Sequence, residues 1–313
     1  MNKKFLVDNM QRFNFNAQKF SGGGIRIYLS EIYSFIRYGC SPDDYFRYQF
    51  YRKSSYERNK FITYRRSQRI INQYNDKSYI KCFGDKALFN TTFREYIARE
   101  WIDVKKCSPD EFRNFVITHD EVLMKPTKGG QGKGIFKLTA SGLLDFEIEE
   151  HRDFIAEEVI KQHSQLAKLN PTSVNTVRVL TFKGKVIACA LRIGGKGAVV
   201  DNLHSNGVCA HLNIETGMID SACINNQLEY FLVHPDTGVQ LVGYRVPRWD
   251  DVIATAETAA TVVPQVQYVG WDIAVTEDGT ALIEGNHDPG HDVVQMIAQT
   301  GLYKEIRNLE KKH

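Results

Sequence analysis

The chain has 313 residues, enough for about two domains at roughly 150 residues each. Its 42% hydrophobic and 25% charged residues exclude disorder, a collagen-like repeat and a small disulfide scaffold. The net charge of +3 conceals an asymmetry, because residues 1–81 hold 16 Lys/Arg against 6 Asp/Glu and the remainder holds 24 against 31.

Residues 1–81 predict a helical, basic region with polar breaks at 21–24 and 39–44. No window approaches the ~18 consecutive apolar residues of a membrane-spanning helix. The first residues also lack an apolar run long enough for a signal peptide, so the cytoplasm is the expected compartment. The basic region carries 18 of the 36 aromatic residues. Bases mixed with aromatics suit nucleic acid or an anionic membrane surface. Against this, Ile25, Leu29, Ile32, Tyr33 and Ile36 recur at helical spacing, which predicts helices sealed onto the body with their bases outward. Packing is the reading preferred, with no nucleic-acid partner and peripheral membrane contact left open. Cys40, Cys82, Cys107, Cys189, Cys209 and Cys223 form no C-x-x-C pair and read as reduced packing residues.

From Lys86 onward the pattern is α+β. Helix is predicted over 90–101, strands over 122–125, 134–138 and 153–160, and a hairpin of 176–182 with 186–193 about Lys183, Gly184 and Lys185. A helix over 250–263, strands over 269–275 and 281–284, and one closing helix over 293–311 complete the prediction.

Four stretches could carry chemistry. In Met124-Lys125-Pro126-Thr127-Lys128-Gly129-Gly130-Gln131-Gly132-Lys133-Gly134-Ile135, glycines let the backbone approach a ligand and point N–H groups at phosphate. A Walker A loop or a Rossmann turn would run into a helix, whereas here β-prone residues follow Gly134. A flexible hairpin tip fits this stretch as well. The second stretch, 270–286, reads as strand, Asp-Gly turn, strand. A three-residue loop of Glu277, Asp278 and Gly279 would pair Thr276 with Thr280 and bring Asp272 opposite Glu284, with Asn286 on the same face. Two carboxylates and an amide oxygen suit Mg²⁺ that also binds phosphates. Third, Phe154 to His163, with Glu157 and Glu158 within it, reads as an apolar strand ending in charges, as a sheet edge also does. Fourth, the positions of Arg178 and Arg192 centre a pairing on residue 185, which would place both guanidiniums at one end of a hairpin as an anion clamp. Solvated sheet arginines remain an alternative.

The order Gly84-Asp85-Lys86, MKPTKGGQGKGI, AEEVI, SVNTVRV, Val200-Asp201-Asn202, GWDIAVTEDGTALIEGN and Asp288-Pro289-Gly290 resembles the ATP-grasp superfamily, in particular its sugar-transfer associated branch, over roughly residues 40–300. One departure is the insert Asn286-His287-Asp288-Pro289-Gly290, where peptide-forming relatives carry small hydroxyl residues. The resemblance implies an α+β, ATP-grasp fold in which two α+β subdomains sandwich ATP, with residues 1–81 as the helical N-terminal region, 82–158 as the lid-bearing subdomain and 159–313 as the metal-binding one. It implies that Lys86, Lys125, Gly129, Gly130, Gln131 and Gly132 bind the phosphates and that Glu157, Glu158 and Ile160 hold the adenine and its surroundings. By the same resemblance Asp272, Glu284 and Asn286 hold Mg²⁺, Arg178 and Arg192 stabilise the transferring phosphoryl group, and Asp201, Asn202, His287, Asp288, Gly290 and His291 border the substrate. Lys125 and Glu284 are then expected to partner phosphate and metal rather than core groups. The implied activity is an ADP-forming ligase that activates a carboxylate as an acyl phosphate and joins it to an amine, with sugar- or amino-acid-derived substrates in envelope glycan assembly. A kinase acting on a hydroxyl and a nucleotide-binding module without turnover are the alternatives.

Overall fold

The computed structural model describes residues 16–19, 24–130, 132–197, 201 and 207–311. The chain forms two compact units, residues 1–74 with 290–313, and residues 75–289. No helix among the described residues is long and apolar enough to cross a membrane.

The first unit is helical and packs around aromatic rings. Tyr45, Tyr48, Phe50 and Phe61 are fully or almost fully buried, and Tyr48 stacks on Phe61 with centroids 4.8 Å apart. Local signals start its helices: Ser41 and Asp44 form a reciprocal cap with Pro42 in the first turn, and Ser54 and Glu57 form another. The discontinuous unit is tied by Gln295, whose Oε1 accepts from Ile62 N at 2.8 Å and whose Nε2 donates to Ile62 O at 2.9 Å. This linkage places residues 290–313 with the N-terminal region, whereas the sequence reading runs the last subdomain to 313. Two expectations are corrected here. The closing helix is two helices, His291–Ala298 and Tyr303–Lys311, separated where Gln299 takes φ +51° and Gly301 lies against the Lys60 backbone with no room for a Cβ. The helical row Ile25, Leu29, Ile32, Tyr33 and Ile36 is exposed, not sealed against anything described.

The second unit holds two antiparallel sheets. Strands β1 (Trp101–Asp103), β2 (Glu121–Pro126), β3 (Phe136–Thr139) and β4 (Phe154–Glu158) are ordered β1-β4-β2-β3. Strands β5 (Thr176–Phe182), β6 (Lys185–Ile193), β7 (Val208–Leu212), β8 (Cys223–Ile224), β9 (Tyr230–Phe231), β10 (Tyr268–Val275) and β11 (Thr280–Asn286) are ordered β11-β10-β5-β6-β7-β8-β9. The predicted helix over 90–101 is instead the two short helices Lys86–Thr92 and Arg94–Ile97. Ala98 at φ +50° ends the second, and Trp101 already belongs to β1.

Period-two alternation decides which side chains meet. In the smaller sheet Val122, Met124 and Ala156 join Phe112 and Val116 of helix Pro109–His119 in one core, which turns Leu123, Lys125, Ile155 and Glu157 to the opposite face. In the larger sheet Val177, Val179, Leu191, Trp271, Ile273 and Leu282 form a second core with helix Trp249–Val262. Thr176, Arg178, Arg192 and Asp272 therefore share the other face, and an irregularity between Leu282 and Glu284 turns Glu284 to it as well.

Candidate active site

The β10–β11 hairpin brings Asp272 opposite Glu284 and Gly270 opposite Asn286, as the sequence predicts, but by a different route. The loop spans four residues: Thr276 N donates to Gly279 O at 2.9 Å, and Val275 rather than Thr276 pairs with Thr280. That turn alone would set the register one residue off. A bulge at Ile283 between the Leu282 and Glu284 pairings restores it, returning Glu284 to the Asp272 face. Gly270 is required by close approach, since a Cβ there would collide with the Pro289 carbonyl.

The arginine hairpin differs in a similar way. Its turn is the two residues Lys183 and Gly184, both at positive φ (+50° and +72°), and Arg192 pairs with Thr176 while Arg178 pairs with Ala190. The arginines are thus diagonal neighbours on one face, not an opposed pair. Both reach Asp272. Arg178 Nε donates to Oδ1 at 2.6 Å and its Nη2 to Oδ2 at 3.0 Å, while Arg192 Nη1 donates to Oδ2 at 2.9 Å. Arg178 Nη1 also donates to Pro289 O at 3.1 Å, which fixes the chain beyond β11. Arg192 Nη2 lies 3.3 Å from Asp201 Oδ1, and Asp201 Oδ2 accepts from Thr176 N at 2.8 Å and from its hydroxyl.

These contacts separate three carboxyls electrostatically. Burial opposes ionisation of Asp272, but the Arg178 and Arg192 guanidiniums overcome it and hold its pKa down at about 2. Asp201 is pushed up by burial, which Arg192 only partly offsets. Glu284 is pushed up by its enclosure and then by the neighbouring Asp272. Glu284 accepts a hydrogen bond from Asn286 Nδ2 at 3.2 Å and shares another with Asp272, which leaves the amide oxygen of Asn286 able to face a cation.

On the smaller sheet Lys125 is buried, with Nζ 2.6 Å from Glu157 Oε2. This corrects the expectation that Lys125 has only ligand partners. Glu157 also accepts from Arg99 Nε at 3.0 Å, Arg99 Nη2 at 2.9 Å and Asn90 Nδ2 at 2.8 Å. Burial opposes charge on Glu157, yet Arg99 and Lys125 hold it well below the carboxylate range. Its carboxylate is thus engaged by protein at both oxygens. Arg99 Nη1 donates in addition to Leu282 O of β11 at 2.8 Å, joining the two sheets. Arg99 and Asn90 escape a reading of the sequence: a Glu between apolar strand residues announces that it needs a base, but not which one.

Lys86 donates from its backbone N to Thr127 O at 2.8 Å and from Nζ to Gly129 O at 2.9 Å, so it abuts the glycine-rich loop; burial lowers its pKa. Gly129 (φ +103°) and Gly130 are exposed with nothing within 4 Å of a Cβ position. Gln131 and Asn202 lie outside the described residues. Glu158 Oε2 accepts from Glu100 N at 3.2 Å.

A cavity of about 310 Å³ is lined from both sheets. Lys86, Lys125, Gly132, Glu157, Glu158, Ile160, Arg192, Asp201, Asp272 and Glu284 border it, with Leu123, Ile135, Val159 and Ile283 supplying apolar wall. Arg178 stands behind Asp272 rather than in the lining. Gly129, Gly130, Asn286, His287 and Asp288 do not border it either, while Gly290 and His291 belong to the first unit. Cations on both sides, apolar walls and an undercompensated Glu284 beside Asp272 can receive a polyphosphate with a hard cation. Among the described residues no three His, Cys, Asp or Glu cluster at metal-binding distance. Two carboxylates beside an amide oxygen are a hard-oxygen donor set of the kind that suits Mg²⁺, which takes one or two carboxylates and completes its shell with phosphate and water.

No match is found among curated proteins. Among solved structures, the ATP-grasp ligase PsnB complexed with a minimal precursor matches at TM-score 0.51 and 16% identity, over 77% of this chain and 64% of that one. The chain thus spans somewhat less than two thirds of the PsnB chain. D-alanine–D-alanine ligase from Bacillus anthracis matches at TM-score 0.43 and 14% identity, over 79% and 70% of the two chains. D-cycloserine synthetase DcsG matches at 0.44 and 11%, over 79% and 77%. The PsnB likeness shows an ATP-grasp fold. With the sugar-transfer associated ATP-grasp family matching residues 140–311, more than half its length, the chain belongs to that family.

Proposed function

We propose that the chain is an ATP-dependent ligase that activates a substrate carboxylate as an acyl phosphate and joins it to an amine. The observation that carries this reading is the cavity between the sheets, where Lys86, Lys125 and Arg192 face the carboxylates of Asp272 and Glu284. Lys86, Lys125 and the loop 129–134 bind and cover the phosphates, and the backbone from Glu158 to Ile160 receives the adenine. Asp272, Glu284 and Asn286 hold Mg²⁺, which when bound neutralises phosphate charge. Arg192 stabilises the equatorial oxygens of the group in transfer, and Arg178 holds Asp272 in place. The substrate carboxylate oxygen forms a bond to the γ-phosphorus as the bond to the bridging oxygen breaks and ADP departs. The amine then attacks the acyl carbon, phosphate leaves with the electron pair, and the nitrogen loses a proton. Such chemistry needs no protein nucleophile, only cations, alignment and exclusion of water. The subdomain boundary falls after β4, at residue 158, and the acid or the amine is sugar- or amino-acid-derived, in keeping with the family.

A kinase reading draws on Asp201, a carboxyl raised by burial that borders the cavity and could accept a proton from a hydroxyl. One experiment separates the two. The chain is incubated with ATP, Mg²⁺ and hydroxylamine against a panel of sugar acids and amino acids. Hydroxamate formed with equal amounts of ADP and phosphate supports the ligase; a stable phosphate ester on an alcohol, with no hydroxamate from any acid, supports the kinase.

A further inference from the structure

Helix Ile25–Tyr38 is apolar on two sides. Tyr38 is buried in the core of the first unit with Ile27 and Tyr28 packed against it, whereas Ile25, Leu29, Ile32 and Ile36 form a row that is 72%, 59%, 50% and 70% exposed. Tyr33 and Phe35, each about half exposed, widen the row. Single exposed aliphatic residues are ordinary, but a continuous row along one helix marks a surface made to be covered.

The charge around the row says by what. Arg26 and Arg37 are exposed and stand roughly 90° round the helix from its centre. On the opposite flank the exposed Arg65 places its guanidinium 5.1 Å from the centre of the Phe35 ring. The helix has one acidic residue, Glu31, turned roughly 135° away from the row. The unit as a whole carries 18 Lys/Arg against 8 Asp/Glu, while residues 75–289 carry 22 against 29. A second copy laid on this face would bring two strongly cationic units together, and nucleic acid has no use for the aliphatic row. The row extends from Ile25 to Ile36, roughly 16 Å along the axis, which suits a helix lying along an interface rather than crossing the ~30 Å hydrocarbon core.

We propose that this face docks on an anionic lipid bilayer, with Ile25, Leu29, Ile32 and Ile36 at the acyl boundary and Arg26, Arg37 and Arg65 among the headgroup phosphates. The surface is a reversible anchor that brings the ATP-grasp unit to a membrane, and it stands independently of the reaction proposed above.

The test is flotation of the full chain with vesicles of phosphatidylcholine alone and of equal parts phosphatidylcholine and phosphatidylglycerol. Binding to the anionic vesicles at least tenfold tighter than to the neutral ones, and weakening with salt, is expected. L29E/I36E should lose at least tenfold, and R26Q/R37Q/R65Q should lose the preference for phosphatidylglycerol. All five side chains are exposed, so both variants should keep the wild-type unfolding midpoint and nucleotide affinity in solution. Equal partition of the wild type into both vesicles, or undiminished flotation of L29E/I36E, overturns the proposal. So does a dimer in sedimentation velocity that L29E/I36E dissolves while vesicles leave it intact.

Discussion

Asp272 and Glu284 lie directly opposite one another on β10 and β11, yet two arginines neutralise Asp272 while Glu284 makes no ion pair among the described residues. One carboxylate is part of the protein's own charge balance. The other has hydrogen bonds but no cationic partner among the described residues.

Substitution should expose that difference. Asp272→Asn leaves two partly buried guanidiniums undercompensated and should cost about 3 kcal/mol. Glu284→Gln removes a carboxyl that burial and Asp272 already disfavour, and should be neutral or stabilise by about 1 kcal/mol. Both should abolish Mg²⁺-dependent turnover. Urea midpoints that fall equally in the two variants would count against this division of roles.

The two lysines at the cavity should also separate. Lys125→Met strips a partner from buried Glu157 and should cost about 3 kcal/mol, Arg99 being left to hold the carboxylate. Lys86→Met removes one hydrogen bond to Gly129 O and should cost about 1 kcal/mol. Each should raise the KM for ATP at least tenfold, which isothermal calorimetry with a nonhydrolysable analogue can check as an affinity.

The Glu157 cluster predicts a pH dependence of stability. Because its folded pKa lies below the ordinary carboxylate value, the stabilisation is complete above about pH 5 and is lost as pH falls through the window beneath it. Glu157→Gln cannot titrate, so its Tm should lie well below wild type at pH 7 and the gap should narrow steadily toward pH 2. A constant gap would mean that the carboxylate is not held by Arg99 and Lys125.

Within the glycine-rich loop, position decides the outcome. Gly134 sits at φ +73° with a Cβ position 3.0 Å from Pro126 Cγ, so Gly134→Ala should destabilise by about 1–2 kcal/mol. Gly130 has open space and no positive φ, and Gly130→Ala should leave Tm unchanged while raising the KM for ATP if the loop closes as a lid. Hydrogen exchange in 129–134 should slow on adding ATP and Mg²⁺; equal exchange in both states would remove the lid.

Local pattern by itself determined seven of the eleven strands among the described residues and the two hairpins; β1 and β7 to β9 were not predicted, being short or, for β1, read as the end of a helix. Alternation in Val177, Val179, Trp271 and Ile273 separates core from site with no knowledge of the rest of the chain, because a strand's side chains can point only two ways. The expected pairing of Asp272 with Glu284 came from that alternation plus an assumed turn, and it holds because the Ile283 bulge compensates for a loop one residue longer. Breaks without glycine or proline at the turning residue, at Ala98 and Gln299, were illegible, since a positive φ at such residues carries no local sequence signal. Only tertiary structure decided which charges meet. Arg99 lies 58 residues from Glu157 and Arg178 lies 94 from Asp272, and no local rule selects one base for a buried acid over such separations. The same holds for the row from Ile25 to Ile36: periodicity shows that a helix has an apolar side, but whether that side finds a core or is left to meet something else depends on the surfaces the remainder of the chain brings to it.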